Sequence, residues 1–265
     1  MTVDHNSPDI WTNLGSAISA QDELEFQSAI SKFLASNVAF DNYLLIAYFA
    51  AERPVVLSHE SQSPRVHAEI ETHYVQSHYL LDPFYIAHCN AVQAGAYSLS
   101  DVAPDKFRST AYFKKYYERT TLQDEIAFFA YPANGWTLNI CIGRDETSGL
   151  SFSKADIRRA RRIAPVVSAL LETRYRSATF RRSKAARSGD PINDLRRRLK
   201  SRNAIDITSR QAQVAVLILR GHSAKSISAE LGISWHTVRV FRRQLYQRCN
   251  VTSQAELFSM ILPLL

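Results

Sequence analysis

The sequence is poor in the residues that staple, span or catalyse. Its three cysteines, Cys89, Cys141 and Cys249, are an odd number set far apart, which excludes a disulfide framework. None pairs with another ligand at metal spacing, so they read as free thiols of a reducing compartment. His73, His78 and His88 with Cys89 are the nearest approach to a zinc set, and they lack a Cys-x-x-Cys or His-Glu-x-x-His pairing. The longest apolar run, from Tyr43 to Ala51, is far too short to cross a bilayer. The opening MTVDHNSPDIW has no basic segment followed by an apolar one, so no signal peptide is expected. With only 8 glycines there is neither a Gly-rich phosphate loop nor a Gly-x-Ser-x-Gly elbow. The acidic pairs of a phosphoreceiver domain are missing as well. These absences predict a soluble, cytoplasmic protein that is not an enzyme and holds no cofactor or metal.

What is abundant is charge, unevenly placed. Residues 1–150 carry 9 Lys/Arg against 18 Asp/Glu, whereas residues 151–265 carry 23 against 7. An acidic unit joined to a basic one is the pattern of a nucleic-acid module with a partner domain. Chain length leaves room for both to bury a core. The boundaries are expected at 1–175, 176–204 and 205–265, the middle span being a basic linker. It is crowded with Arg181, Arg182, Lys184, Arg187, Arg196, Arg197, Arg198, Lys200 and Arg202 and interrupted by Ser188-Gly189-Asp190-Pro191.

The last span carries four helix signatures. Thr208 with Gln211 forms a capping box before Val214, Leu217 and Ile218, and Gly221 stops that helix. Ser223 opens a short second helix over Ile227 and Leu231, and Gly232 turns the chain. Ser234 caps a third helix reaching about Arg248, and Ser253 with Glu256 opens a fourth. A tight glycine turn between two helices, the second carrying exposed cations, describes a helix-turn-helix. On the third helix Val238, Phe241 and Leu245 make the apolar stripe. Arg239, Val240, Arg242 and Arg243 project oppositely, where the arginine fork suits guanine O6 and N7. Ser234, Trp235, His236 and Thr237 stand at its N-terminus, where backbone N–H groups and short hydroxyls meet phosphate.

This stretch resembles the LuxR-type (GerE-type) DNA-binding domain. The match rests on Thr208, Arg210, Val214, Gly221, Ser223, Lys225, Ile227, Leu231, Ile233, Ser234, Thr237, Val238, Arg239 and Val251. The resemblance implies that Arg239, Val240 and Arg243 face bases and that Lys225 and Thr237 hold phosphates. The departures are Gln211 and Gln213 for two acidic residues of the first helix, and Phe241 and Gln244 for the usual His and Asn.

Residues 8–36 read as helical with Leu24, Ile30, Phe33 and Leu34 buried, and 42–51 and 55–58 as strands. Helices are expected over 66–78, 84–94 and 104–120, with a short strand at 96–99. Strands at 125–131 and 136–142 flank the hairpin dipeptide Asn134-Gly135. A long helix starts at Ser153. The fold class is therefore α+β: an N-terminal α/β/α unit with a central, mainly antiparallel sheet, plus an all-α, four-helix C-terminal unit. The first unit resembles PAS/GAF-like sensor domains and the autoinducer-binding domain of LuxR-type regulators. It carries Tyr74-x4-Tyr79-x2-Asp82-Pro83 where lactone-binding domains have a Trp, Tyr, Tyr, Asp-Pro series. Ile70 stands in place of the Trp, and the spacing is one residue shorter.

The resulting expectation is a transcription regulator that senses a small molecule, as in quorum sensing. It would bind double-stranded operator DNA as a homodimer, with RNA polymerase a candidate partner and no membrane association. Tyr74, Tyr79, Asp82, Phe84 and Tyr97 are the expected ligand residues. The rival reading makes them packing and gives the N-terminal unit a protein partner. Dimer surface is expected on the long helix from Ser153 and on the last helix, at Leu257, Met260 and Ile261.

Overall fold

The computed structural model describes residues 9–49, 52–133, 136–178 and 191–264. In chain order these form α1 (Ile10–Ser19), α2 (Glu23–Ala35), β1 (Asn42–Phe49), β2 (Val55–Ser61), α3 (Pro83–Cys89), β3 (Gly95–Ser98), α4 (Leu99–Val102) and α5 (Glu118–Thr120). They continue with β4 (Asp124–Ala130), β5 (Trp136–Arg144), α6 (Lys154–Arg174), α7 (Pro191–Asn203), α8 (Ser209–Arg220), α9 (Ala224–Leu231), α10 (Trp235–Cys249) and α11 (Gln254–Ile261). No helix among the described residues is long and apolar enough to cross a membrane.

The five strands pair antiparallel in the order β2-β1-β5-β4-β3. Strand side chains alternate between faces, and here both faces are covered. Tyr43, Leu45, Ala47 and Phe49 of β1, with Ile126, Phe128, Leu138, Ile140 and Ile142, pack beneath α2 and α6. Ile46, Tyr48, Ala127, Phe129 and Cys141 point the other way, into a second core. That two-sided burial is why β1 and β5 read as nearly continuous apolar runs. On α6, the buried Ala160, Ala164, Val167 and Leu171 form one stripe on the sheet. Full burial of Val167 and Leu171 contributes roughly 1.5–3 kcal/mol each.

Several expectations need correction. The span read as one helical stretch over 8–36 holds two helices in its described residues, α1 and α2, broken at Ala20–Gln21 where Asp22 caps α2 through the Glu25 N–H. Leu24 falls on the outer face and is 77% exposed, while Ile30, Phe33 and Leu34 are buried. The spans read as helices over 66–78 and 104–120 are shorter and irregular. They hold π-helical turns at Ile70–Tyr74 and Phe113–Tyr117 and 3₁₀ turns at His78–Leu81 and Phe107–Ser109. Crowded aromatic rings, not a regular amphipathic stripe, set their path. The hairpin dipeptide Asn134-Gly135 lies outside the described residues, as do Arg181, Arg182, Lys184, Arg187 and Ser188-Gly189-Asp190; β4 and β5 do pair in the expected way. Within the span read as linker, α7 starts at Pro191 and buries Leu195 and Leu199 against the C-terminal helices. Of the three α11 residues expected to form dimer surface, Leu257 and Ile261 are buried in their own unit and Met260 alone is half-buried, so their side chains offer little apolar surface.

The C-terminal caps form as the residues dictate. Thr208 and Gln211 make their reciprocal box, and Ser223, Ser234 and Ser253 accept from Ser226, Thr237 and Glu256 N–H groups. Gly221 (φ +96°) and Gly232 (φ +62°) end α8 and α9 in the left-handed region. They differ in surroundings. A Cβ on Gly232 meets nothing, whereas one on Gly221 would lie 2.7 Å from Phe107 Cα and 2.8 Å from Phe107 N. Gly232→Ala should therefore cost only the backbone term, roughly 1 kcal/mol. Gly221→Ala should cost clearly more, because the Phe107 backbone must also move. Thermal unfolding of the two variants side by side checks this; equal losses would contradict the close approach.

Candidate nucleic-acid interface and buried tyrosine site

Helix α10 is anchored by Val238 and Leu245, both buried, and by half-buried Phe241. Its outer face presents Arg239, Arg242 and Arg243, all exposed, with Val240 half-buried between them. Trp235 is 55% exposed, and the Arg239 guanidinium lies over its ring at 5.3 Å. Arg242 lies over Tyr246 at 5.2 Å and donates to its hydroxyl at 3.2 Å. At the N-terminus Ser234 Oγ caps the Thr237 N–H at 3.0 Å and meets the Thr237 hydroxyl at 2.8 Å. His236 is exposed beside Trp235, and Lys225 is exposed in the first turn of α9. Neither α9 nor α10 has an acidic residue in its first turn, so both N-termini stay favourable to anions.

Two of the four departures from the LuxR-type pattern, Gln211 and Gln244, meet each other. Gln211, buried in α8, donates from Nε2 to Gln244 Oε1 of α10 at 3.1 Å. Its own Oε1 accepts from the Thr208 N–H at 3.0 Å and from Arg248 at 3.3 Å. A neutral amide pair thus ties α8 to α10. The other glutamine, Gln213, accepts from Arg210 at 2.9 Å.

In the N-terminal unit, Tyr74, Asp82 and Phe84 come together. Asp82, buried, caps α3 by accepting from the Phe84 N–H at 2.8 Å, and it also accepts from the Tyr74 hydroxyl. Tyr74 in turn shares a hydrogen bond with Tyr48 of β1 at 2.6 Å. Tyr79 reaches this chain through its ring, edge-on to Tyr85 at 4.7 Å, with Tyr85 edge-on to Tyr48 at 5.5 Å. Tyr97 stands apart. It lies on edge strand β3, three strands from Tyr48, or about 14 Å at the usual strand spacing. Its hydroxyl donates to Gln93 O and its ring meets Phe129. No group of three or more potential metal ligands gathers among the described residues, at His73, His78, His88 and Cys89 or elsewhere.

Sequence reasoning missed Tyr48, Tyr85, Tyr112, Tyr116, Tyr117 and Glu125. The stacked Tyr112 and Tyr116 rings extend the site from Tyr74, and Tyr117 donates to Glu125 at 2.5 Å. The density of tyrosine in this half was the available signal; which rings would converge depended on irregular turns that no periodicity reports. Burial raises the carboxyl of Asp82 to about 6, the Tyr74 and Phe84 hydrogen bonds holding it lower than burial alone would. Burial, reinforced by the charge of Asp82, raises Glu125 to about 8.

Both shifts favour the protonated folded state. The stabilisation is complete below the carboxyls' ordinary range and is lost as pH rises through about 6 for Asp82 and about 8 for Glu125. Wild-type protein should therefore lose on the order of 2–3 kcal/mol through Asp82 as pH rises from about 4 to beyond about 6. Asp82→Asn should flatten that part of the stability–pH curve in urea titrations. A variant that kept the wild-type slope would place the titrating group elsewhere.

Comparison with known proteins agrees with this geometry. Residues 206–261 match the profile of the bacterial regulatory proteins of the luxR family, GerE. An HTH-type transcriptional regulator of the exeN 3′ region from Aeromonas salmonicida is 28% identical over 185 residues, covering 68% of this chain and 93% of that protein. The VqsR LBD domain of Pseudomonas aeruginosa superposes with a TM-score of 0.52 at 24% identity, covering 63% of this chain and 96% of that one. Its likeness shows that the N-terminal unit shares that domain's fold. With the capped helices, the glycine turns and the exposed arginine face in place, the C-terminal unit is the helix-turn-helix domain of the luxR family of bacterial regulatory proteins.

Proposed function

We propose that this LuxR-type regulator binds a roughly palindromic operator as a homodimer and that its N-terminal unit senses a small molecule. The observation that carries the DNA reading is the exposed arginine face of α10 on a helix held by Val238 and Leu245. Arg239 and Arg243 are one turn apart, the spacing needed to address neighbouring base pairs in a major groove. Lys225 with Ser234 and Thr237 supplies phosphate contacts that set register. For dimerisation, α6 supplies the better surface. A groove of about 670 Å³ between α1 and α6 is lined by Leu14, Ile18, Pro165, Val166 and Leu170.

Asp82 is the proposed anchor for the ligand's polar head. A ligand donor would replace the Tyr74 hydroxyl on its carboxylate, in a charge-assisted hydrogen bond. In this structure tyrosine rings occupy the space around Asp82, so binding requires them to move. That filling equally supports the second reading, in which these rings are core and the unit's partner is a protein.

Operator fragments selected from random DNA by the purified protein test the first reading. Arg239→Ala and Arg243→Ala should each weaken the selected site by about 1–3 kcal/mol and relax its sequence. Lys225→Ala should weaken all sequences alike and lower the salt slope. Unchanged affinity and preference in Arg243→Ala would remove α10 from the groove. For the sensor, a metabolite screen by thermal shift should find a stabilising compound. Asp82→Asn should lower its affinity more than about tenfold, one lost charge-assisted bond. A full ligand response in both Asp82→Asn and Tyr74→Phe would move the pocket elsewhere.

A further inference from the structure

The C-terminal unit does not hang free of the sensor unit. The chain between α4 and the 3₁₀ turn at Phe107 runs against the junction of α8 and α9. The Lys106 N–H donates to Gly221 O at 2.9 Å, and the Phe107 backbone packs so closely on Gly221 that no Cβ would fit between them. Beside it, Asp105 Oδ1 accepts from the Ser223 N–H at 2.9 Å. On one flank Arg220 Nε donates to Leu80 O at 3.3 Å. On the other, Lys115 Nζ donates to Ser259 Oγ at 3.0 Å and lies over the Phe258 ring. The Ser223 hydroxyl and amide hold the Asp105 carboxyl below its ordinary range, so it is an anion in this contact.

We propose that this contact is an autoinhibitory latch: the Asp105 carboxylate occupies the start of the first helix of the helix-turn-helix, where a DNA phosphate must sit. The proposal rests on the DNA-binding reading of the C-terminal unit. Three features point to phosphate as the competitor. In helix-turn-helix docking the first helix crosses the DNA backbone, and a helix N-terminus is a natural phosphate seat. The first turn of α9 carries an exposed Lys225 and no acid. What fills it here is an anion from a unit with twice as many Asp/Glu as Lys/Arg in residues 1–150, whose charge would repel an approaching duplex. The recognition face of α10 stays exposed throughout, so the latch acts on backbone engagement and not on base reading.

The same contact touches the tyrosine site from two sides. Leu80, which accepts from Arg220, lies in the turn that leads into Asp82. Phe107 packs its ring edge-on to Tyr117 at 5.8 Å and against Tyr112 at 5.9 Å. Displacing those tyrosines shifts both supports of the latch, which gives the sensor core a mechanical route to the DNA-binding helices. A ligand acts through it only as far as it binds the released and latched states differently.

The test uses the full-length protein and a random-sequence duplex at low salt, followed by fluorescence anisotropy. Asp105→Ala should bind at least roughly fivefold tighter than wild type, the low end of ordinary site coupling. Glu118→Ala, which removes an exposed acid of the same unit, should stay within about twofold, which separates release of the latch from a general change of charge. Hydrogen exchange in peptides covering residues 221–226 should accelerate in Asp105→Ala and not in Glu118→Ala. If the two variants bind the duplex equally well, the latch is overturned whatever the exchange shows. If neither they nor the wild type bind any duplex, the DNA-binding reading itself fails and the latch with it.

Discussion

Burial of the sheet on both faces is the constraint on which the rest of this molecule depends. β5 is buried along its whole length between β1 and β4. A sheet that hides both faces needs a layer on each side, and the chain builds the two layers differently. α2 and α6 cover one face with regular apolar stripes. The other is covered by residues 66–120, in short helices and irregular turns rich in tyrosine. Regular helices make a dry, inert wall. The irregular layer leaves hydroxyls and carboxylates inside, and each must find a partner or carry the cost of burial.

That requirement explains the polar network. Asp82 spends one oxygen on the start of α3 and the other on Tyr74, which passes the hydrogen bond to Tyr48 on the sheet. Glu125 of β4 accepts from the Tyr117 hydroxyl at the end of the π-helical turn. Burial raises both carboxyls; Asp82 is held lower by hydrogen bonds from Tyr74 and the Phe84 and Tyr85 backbone, whereas Glu125 has the Tyr117 hydroxyl alone and the charge of Asp82 against it.

In the C-terminal unit the physics is local. Each helix begins at a serine or threonine cap, and two end at left-handed glycines, so its boundaries follow from neighbours a few residues away. Gln211 shows how this logic absorbs change. With Gln at both 211 and 244, an amide pair joins α8 to α10 without any buried charge.

The sequence by itself therefore determined the elements whose signals are short-range. These were the four C-terminal helices, the exposed arginine face, the strands of the central sheet and the long helix from Ser153. Asp82 and Tyr74 were legible as a pair through the resemblance of Tyr74-x4-Tyr79-x2-Asp82-Pro83 to the lactone-binding series. Tertiary structure alone decided that Leu24 faces outward, that Leu257 and Ile261 turn inward, and that Tyr97 lies three strands from the site where Tyr48 and Glu125 belong. It also decided that half of the basic span forms a helix against α8, and that Asp105 meets Ser223 across 118 positions. The reason is one of range. A cap or a period of 3.6 is written into adjacent residues, whereas the choice of which ring fills a core, and which loop seats a distant helix, is made only when sheet, turns and helices compete for the same space.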